Sequence, residues 1–330
     1  MSATDTSTTK ESLRGSGRAR RADPIFRGLV LVAATSVLVV LAAMIIRTTL
    51  DAWPVFDAMG FWGFISGQQW SVGQSRSEVT GTYGAFPFIY GTLKISFFAI
   101  LAAVPLAIGI ALFINEIAPA WLKRPLSSTV ELLAMVPSVV YALVGIYFFR
   151  LYIWEPVGQF IASSPLGNLT FFGPPVLLSS YWSAANILAI MILPIITAIC
   201  RESFAQVPRD EVNAAYAMGA TRWEVMRKVI VPRSFSGIVG GTMLGLGRAL
   251  GETIAIAFLI GASQRWAPQL FFGGDSMTSV IVHSFAGAAP EANCALLAIG
   301  VTLFLITTIV NVLARLIVYR VGQFSGDAAL

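Results

Sequence analysis

Long apolar runs separated by short charged segments dominate this chain. Four of these runs approach the roughly 20 residues that a helix needs to cross the hydrocarbon core of a bilayer. We predict membrane spans over residues 28–46, 95–114, 132–149 and 295–314. A soluble domain would break such runs with polar faces. The pattern therefore predicts a helical integral membrane protein.

Two further stretches reach spanning length under specific conditions. The run 187–200 is long enough if its helix begins near Tyr181 and Trp182, whose rings suit a membrane interface. The stretch 234–262 is long enough if the membrane accommodates Arg248 and Glu252. With both included, the expected fold class is an all-α integral membrane protein with six transmembrane helices.

Six spans place both termini on one side, and the basic residues indicate that this side is the cytoplasm. They cluster before the first span and in alternate loops: Lys10, Arg14, Arg18, Arg20, Arg21, Arg27, Lys123, Arg124, Arg201, Arg209, Arg222, Arg227, Lys228, Arg233, Arg315 and Arg320. Loops on the other side hold mainly Arg76 and Arg265. We therefore predict a multi-pass protein with both termini in the cytoplasm.

These positions divide the chain into segments. We expect a disordered basic tail at 1–23, the first transmembrane helix at 24–50, an extracytoplasmic loop at 51–86, a core of five transmembrane helices at 87–320 and a cytoplasmic tail at 321–330. The first apolar run is longer than the hydrophobic region of a secretory signal peptide. It is therefore expected to be a retained anchor.

Composition narrows the class further. Hydrophobic residues make up 56% of the chain and charged residues only 12%, against roughly 25% charged residues in soluble domains. The net charge of +5 lies where orientation signals belong, so we expect membrane lipid rather than nucleic acid as a partner. The two cysteines indicate neither a disulfide framework nor a metal site.

One cytoplasmic segment, 204–232, is longer than its counterparts. Its pattern predicts a helix over Asp210–Met218, a turn at Gly219 and a short amphipathic helix that ends at Pro232. Residue chemistry leaves two interpretations open. The segment either lies on anionic lipid or docks a cytoplasmic partner, with small alanines for close approach and Trp223 as an anchor.

Arg248 and Glu252 stand out because an unpaired arginine at the centre of a membrane helix costs roughly 2.5–3.5 kcal/mol. Residues four apart share a helix face, so we expect the two side chains to meet. They either only neutralise each other or serve a function. Small residues at four-residue spacing surround the pair and predict a close helix interface, namely Gly237, Gly241, Gly245, Gly247 and Gly251.

The cytoplasmic segment resembles a known motif. Its "NAAYAMG", followed by "VIVP", is similar to the EAA loop of bacterial ABC-importer permeases, although Asn213 replaces the usual glutamate and Glu211 lies two positions earlier. The segments "YGAFPFIYGTLKISFFAILAAVPLAIGIALFINEIAP" and "VELLAMVPSVVYALVGIYFF" resemble phosphate importer permeases. The segment "GLGRALGETIAIAFLIGAS" resembles the PstC-type subunit of that family.

The resemblance implies the type I ABC importer permease fold and a role in phosphate import by alternating access, in a bacterial plasma membrane. It also implies a PstA-type second permease subunit, two copies of a PstB-type ATPase and a PstS-type phosphate-binding protein as partners. The chain contains no phosphate-binding loop for ATP. We therefore expect no cofactor in this chain, with ATP and Mg²⁺ used by the partner ATPase.

The same resemblance suggests roles for particular residues. Coupling to the ATPase is expected at Glu211, Asn213, Ala214, Ala215, Gly219 and Trp223. The fork of Arg248 matches the oxygens of phosphate, and Glu252 would compete for that fork and keep the site shallow. Sulfate or molybdate as the cargo stays open, because an arginine alone does not distinguish among oxyanions.

Two rival classes fit less well. A membrane-embedded enzyme would need a metal site or an acid pair, whereas the chain has no H-E-x-x-H motif and a single histidine, His283. A passive channel would need a repeated filter and would leave the cytoplasmic segment unexplained. We further expect Pro105, Pro137 and Pro194 inside three spans, and Lys94 and Glu116 near the membrane interfaces.

Overall fold

The structure is a computed structural model that describes residues 19–71, 81–172, 179–286, 288 and 290–327. It divides into two units, residues 1–51 and 52–330. The first unit consists, in its described part, of most of a long helix, α1 (Ala19–Met59). This helix begins inside the segment expected to be a tail. Residues 1–18, Arg76 and residues 328–330, all subjects of sequence predictions, lie outside the described residues.

The second unit is almost entirely helical. Its elements are α2 (Phe61–Ser66), β1 (Trp70–Ser71), β2 (Thr82–Tyr83), α3 (Phe86–Leu112, with a π-helical end to Ile117), α4 (Ala120–Ala134), α5 (Ser138–Val144, continuing as a π-helix to Trp154), α6 (Glu155–Ser163), α7 (Tyr181–Ala205), α8 (Arg209–Ala217), α9 (Arg222–Val225, with a π-helical turn to Ile230), α10 (Val231–Arg233), α11 (Phe235–Gly251), α12 (Ile254–Leu259), α13 (Met277–Phe285) and α14 (Pro290–Asp327). The strands pair antiparallel, Trp70 opposite Tyr83.

The expected count of six spans is met only if one bent helix pair counts as a span. Five stretches are long and apolar enough to cross a membrane: Pro24–Met59, Phe86–Ile117, Ser138–Ser163, Tyr181–Ala205 and Ala292–Leu316. A sixth arises if Arg222–Arg233 and Phe235–Gly251, bent by 69°, count as one span. The all-α membrane class holds apart from the two-residue strands.

The predicted span 132–149 is wrong as one continuous helix. Residues between α4 and α5 interrupt it, and Pro137 precedes the first turn of α5 with extended backbone. A proline lacks the N–H that a helix interior needs. Pro105 and Pro194 lie inside α3 and α7, as expected.

The core is built around α7, against which α3, α4 and α11 pack. Two thirds of the most apolar stretch of α7 is buried. Among the described helices, α3 and α7 share the largest contact. Buried residues recur every four positions along α3, namely Ile95, Ala99, Ala103, Ala107 and Ala111. Small residues at this spacing let two backbones approach closely. The alanine stripe therefore explains how α7 is enclosed.

α11 packs against α7 through its glycines. A Cβ added at Gly237 would lie 1.8 Å from Ser203 Oγ, and one at Gly245 would lie 2.7 Å from Ile196 Cδ1. Gly237 therefore meets Ser203 while the later Gly245 meets the earlier Ile196. The two helices are thus antiparallel. The beginning of α11 thus lies beside the end of α7.

Candidate functional site

A groove of about 910 Å³ lies among α7, α11 and α14. Its lining combines small, apolar and polar residues: Ile195, Gly240, Met243, Leu244, Gly247, Arg248, Thr308, Asn311, Val312 and Arg315. Two arginines and no carboxylate line it within the part of the chain that the structure describes. An anion therefore finds positive charge and hydrogen-bond donors there without a competing negative group.

Arg248 lies in the last turn of α11, on the groove side. Its side chain is half-buried, and its Nε is buried without a hydrogen-bond partner among the described residues. A guanidinium carries five N–H donors in a planar fork that suits oxyanions. The residue expected in the substrate path thus lines this groove, although its enclosed Nε is not the atom that a ligand there would meet.

Glu252 does not share a helix face with Arg248, and that expectation is wrong. The helix α11 ends at Gly251, and Glu252 has extended backbone (φ −69, ψ 130). Its Oε1 accepts a hydrogen bond from the Ala255 N–H at 3.4 Å, and its carbonyl accepts one from Thr278 Oγ1 at 2.7 Å. The i,i+4 geometry requires a continuous helix, so the break removes the contact. No ion pair joins the two residues in the described chain.

The glycines of α11 face two ways. Gly237, Gly241 and Gly245 face α7, where added Cβ atoms would meet side-chain atoms at 1.8, 3.2 and 2.7 Å. Gly247 and Gly251 have open space around the position of a Cβ. The first three therefore permit helix packing within this chain, whereas Gly247 widens the groove.

Sequence reasoning missed the α14 side of the groove. It counted Arg315 only as an orientation signal, while the structure places that residue in the groove with Asn311 and Thr308. Their i, i+3, i+7 spacing on an otherwise apolar helix was the available signal. No rule of sequence alone states which helix such a stripe faces.

The cytoplasmic segment has the predicted helix, turn and helix. The prediction of Asp210–Met218 is confirmed within one residue by α8. Gly219 has φ +87 and makes the turn, a conformation that side-chain-bearing residues resist. Thr221 and Glu224 then form a reciprocal capping box that starts α9.

The residues expected to couple to the ATPase fall into exposed and internal groups. Asn213 and Ala214 are exposed, and Trp223 is 63% exposed. Ala215 is buried in the chain's own core at 8% exposure, so its methyl group supports the fold. Glu211 Oε1 lies 3.5 Å from Arg233 Nη2. Glu211 is the carboxylate two positions before Asn213, which replaces the usual glutamate of the motif, and this ion pair already engages it.

One ion pair links this segment to α3, and another links α7 to α4. Arg209 Nη1 lies 3.5 Å from Glu116 Oε1 at the end of α3, and Arg201 Nη2 lies 2.8 Å from Glu131 Oε1 on α4. The Glu116 side chain is only 10% exposed. The pair of Arg209 with Glu116 therefore connects α8 to the end of α3.

The Lys94 side chain does not extend outward to a membrane interface, so that expectation is wrong. Its side chain is buried, and Nζ donates hydrogen bonds to the carbonyls of Ala267, Pro268 and Gln269 at 3.1, 2.9 and 2.9 Å. It also lies 4.3 Å from the centre of the Tyr181 ring. Hydrogen bonds to three carbonyls offset much of the free-energy cost of burying the ammonium group. Lys94 therefore holds the loop after α12 against α3.

A buried polar cluster follows that loop at the start of α13. Asp275 accepts hydrogen bonds from the Ser276 N–H and from Ser279 Oγ. Burial raises the pKa of the Asp275 carboxyl above its ordinary value. His283 Nδ1 lies 3.9 Å from Asp275 Oδ2, so His283 contacts the fold rather than only the surface. Within the described chain, no group of acidic, cysteine and histidine side chains is arranged to hold a metal ion.

Comparison with known proteins gives consistent relatives. A profile of the family described as binding-protein-dependent transport system inner membrane component matches residues 103–323. Phosphate transport system permease protein PstC of Xylella fastidiosa is 37% identical over 314 residues, 94% of each chain. PstC of Pasteurella multocida is 38% identical over 306 residues, 92% of this chain and 93% of the relative. PstC 2 of Mycobacterium tuberculosis is 34% identical over 310 residues, 91% and 92% of the two chains.

Solved structures share the fold at low identity. A chain of a bacterial alginate ABC transporter, crystallised with an alginate-bound periplasmic protein, has a TM-score of 0.61 and 17% identity, covering 92% of this chain and 97% of its own. A chain of the inward-facing MetNI methionine ABC transporter has a TM-score of 0.55 and 16% identity, covering 71% and 94%. Both support the type I ABC importer permease architecture.

Proposed function

Because this chain belongs to the PstC family of phosphate transport permeases, among the binding-protein-dependent inner membrane components, we propose that its cargo is inorganic phosphate. It is a translocation subunit of an ABC importer rather than an enzyme. The names of its relatives favour phosphate over sulfate or molybdate, the alternatives that residue chemistry leaves open.

The groove beside Arg248 is the observation that carries the proposed substrate path. The half-buried side chain of Arg248 lines it, and no carboxylate among the described residues does. A phosphate oxygen is a strong acceptor for the N–H groups of a guanidinium. Glycine at position 247 leaves room for an ion to approach the arginine.

The cytoplasmic segment 204–232 supports coupling to a separate ATPase. Its exposed face presents Trp223, Met218 at 84% exposure and the small Ala214. An aromatic anchor beside small residues suits a docking interface. ATP and Mg²⁺ would then act on a PstB-type partner, present in two copies, and the ion pair of Arg209 with Glu116 would transmit its movement.

Two other partners complete the proposed importer. A PstA-type permease subunit would supply the second half of the path, and a PstS-type protein would deliver phosphate from outside. The positive-inside rule supports a cytoplasmic location for the segment 204–232 and for both termini. Membrane lipid surrounds the exposed apolar helices, and no nucleic acid is involved.

Phosphate uptake by cells that lack other importers tests this proposal. Arg248→Gln should lower uptake by tenfold or more, because a charged hydrogen bond contributes roughly 1.5–3 kcal/mol. Arg124→Gln, at an exposed position on α4, is the matched control and should transport normally. Unchanged uptake by Arg248→Gln, with normal membrane assembly, would exclude Arg248 from the path.

A further inference from the structure

The groove contains a second arginine, on a different helix from Arg248. Arg315 lies on α14, where Thr308, Asn311 and Arg315 follow one another at i, i+3 and i+7 and line the same groove. This spacing puts the three side chains on one helix face. The polar stripe therefore extends roughly 10 Å along α14 at 1.5 Å per residue.

The packing of the helices orients this stripe. The early part of α14 shares a buried cluster with Phe88 and Met277, at the end of the unit where α3 begins. Gly237, near the beginning of α11, lies beside Ser203 near the end of α7, at the opposite end. Arg315 therefore lies toward the segment 204–232, and Arg248 lies toward the other end of the groove.

The chemistry of the stripe suits a protonated oxyanion. Arg315 is exposed and forms no ion pair within the described residues. The Asn311 side chain makes no hydrogen bond to another described residue. Its amide group offers both a donor and an acceptor. Thr308 Oγ1 donates to the Phe304 carbonyl at 2.8 Å, so its oxygen is left to accept. A phosphate that still carries a proton can donate a hydrogen bond to these acceptor oxygens.

We propose that Arg315, with Asn311, is a second oxyanion contact that receives phosphate from Arg248 on its way to the cytoplasm. Several weak sites in series let an ion enter and leave, whereas one strong site would hold it. Two positive charges facing one groove also raise the local concentration of anions. This inference rests on the proposed phosphate import, and it adds a second residue and a direction to that path.

A phosphate group could also belong to a lipid headgroup, so the experiment separates the two sources. The complete importer is reconstituted with its ATPase and binding protein in vesicles of neutral phosphatidylcholine, and separately in vesicles containing anionic phosphatidylglycerol. ATP-driven uptake of radiolabelled phosphate is measured for Arg315→Gln, Arg315→Lys and Asn311→Leu. Arg124→Gln is the charge-matched control.

We expect Arg315→Gln to lower the maximal uptake rate by roughly tenfold in both lipids, with partial recovery in Arg315→Lys. Asn311→Leu should lower it by roughly threefold. If Arg315→Gln does not assemble, Arg315→Lys and Asn311→Leu carry the test, and uptake equal to that of Arg124→Gln in both would overturn the proposal.

Two other outcomes also decide the matter. A defect of Arg315→Gln that appears only in anionic vesicles would assign Arg315 to lipid headgroups and overturn the proposal. Normal uptake by Arg315→Gln beside a large defect in Arg248→Gln would refute the second contact while leaving phosphate import intact. Absence of phosphate uptake by the unaltered importer would instead refute the proposed function.

Discussion

Arg248 and Glu252 are four residues apart but do not meet, because a helix ends between them. Sequence spacing predicts a contact, but the end of α11 at Gly251 turns Glu252 toward the start of α12. The presence of both charges in one apolar stretch is visible in the sequence. Their geometry could not be predicted, because glycine at 251 permits either continuation or termination.

Exchanging the two charges tests this geometry. Side chains that touch often tolerate exchange, whereas separate ones do not. We expect the double variant Arg248→Glu with Glu252→Arg to recover none of the uptake lost by Arg248→Glu alone. Recovery to more than half of normal uptake would show that the pair meets during transport.

Lys94 has a structural role that can be measured independently of transport. Lys94→Met keeps the length of the side chain but removes the donor for three carbonyls. Because an unsatisfied buried polar group costs about 1–3 kcal/mol, the free energy of unfolding should fall by about 2 kcal/mol. Thermal unfolding in detergent measures the change.

Lys228→Met is the control for that substitution. Lys228 is exposed and pairs with Glu224 at 3.5 Å in an i,i+4 arrangement, which contributes only about 0.3–0.5 kcal/mol. Equal melting temperatures for the two variants would contradict the role assigned to Lys94.

The helix α11 separates glycines that pack from glycines that leave space. Gly237→Ala would place a Cβ 1.8 Å from Ser203 Oγ, so we expect it to destabilise the chain by about 1–3 kcal/mol. Gly247→Ala meets nothing within 4 Å and should be neutral or stabilising, since alanine favours helix by about 1 kcal/mol. The reverse order of melting temperatures would refute the packing described for α11.

The helix α8 offers a matched pair for the docking surface. Ala214 is exposed and Ala215 is buried, so a leucine has different effects at the two positions. Ala214→Leu should leave the free energy of unfolding within about 0.5 kcal/mol and reduce co-purification of the ATPase. Ala215→Leu should destabilise the chain itself by about 1–3 kcal/mol. Normal ATPase recovery with Ala214→Leu would argue against docking on this face.

Across the whole molecule, the length of the apolar runs predicted most of the membrane helices. Apolar runs identify membrane helices because no alternative backbone satisfies its hydrogen bonds in lipid. Sequence reasoning failed where helices end inside apolar runs, at Pro137 and Gly251, and where distant elements meet, at Lys94 and Arg315. The surroundings of Lys94 and Arg315 depend on tertiary contacts, which local patterns do not encode. The break at Pro137 has a local cause, but Pro105 and Pro194 lie inside helices, so proline alone does not show where a helix is interrupted.

ATP-driven uptake of radiolabelled phosphate into vesicles is the most direct test of the central account. The chain is reconstituted with its permease partner, ATPase and binding protein, and uptake is followed with unlabelled phosphate, sulfate or molybdate as competitors. The account predicts uptake that requires ATP, falls at least tenfold in Arg248→Gln and is inhibited only by phosphate. Uptake of sulfate or molybdate in preference to phosphate, or uptake indifferent to Arg248→Gln, would contradict it.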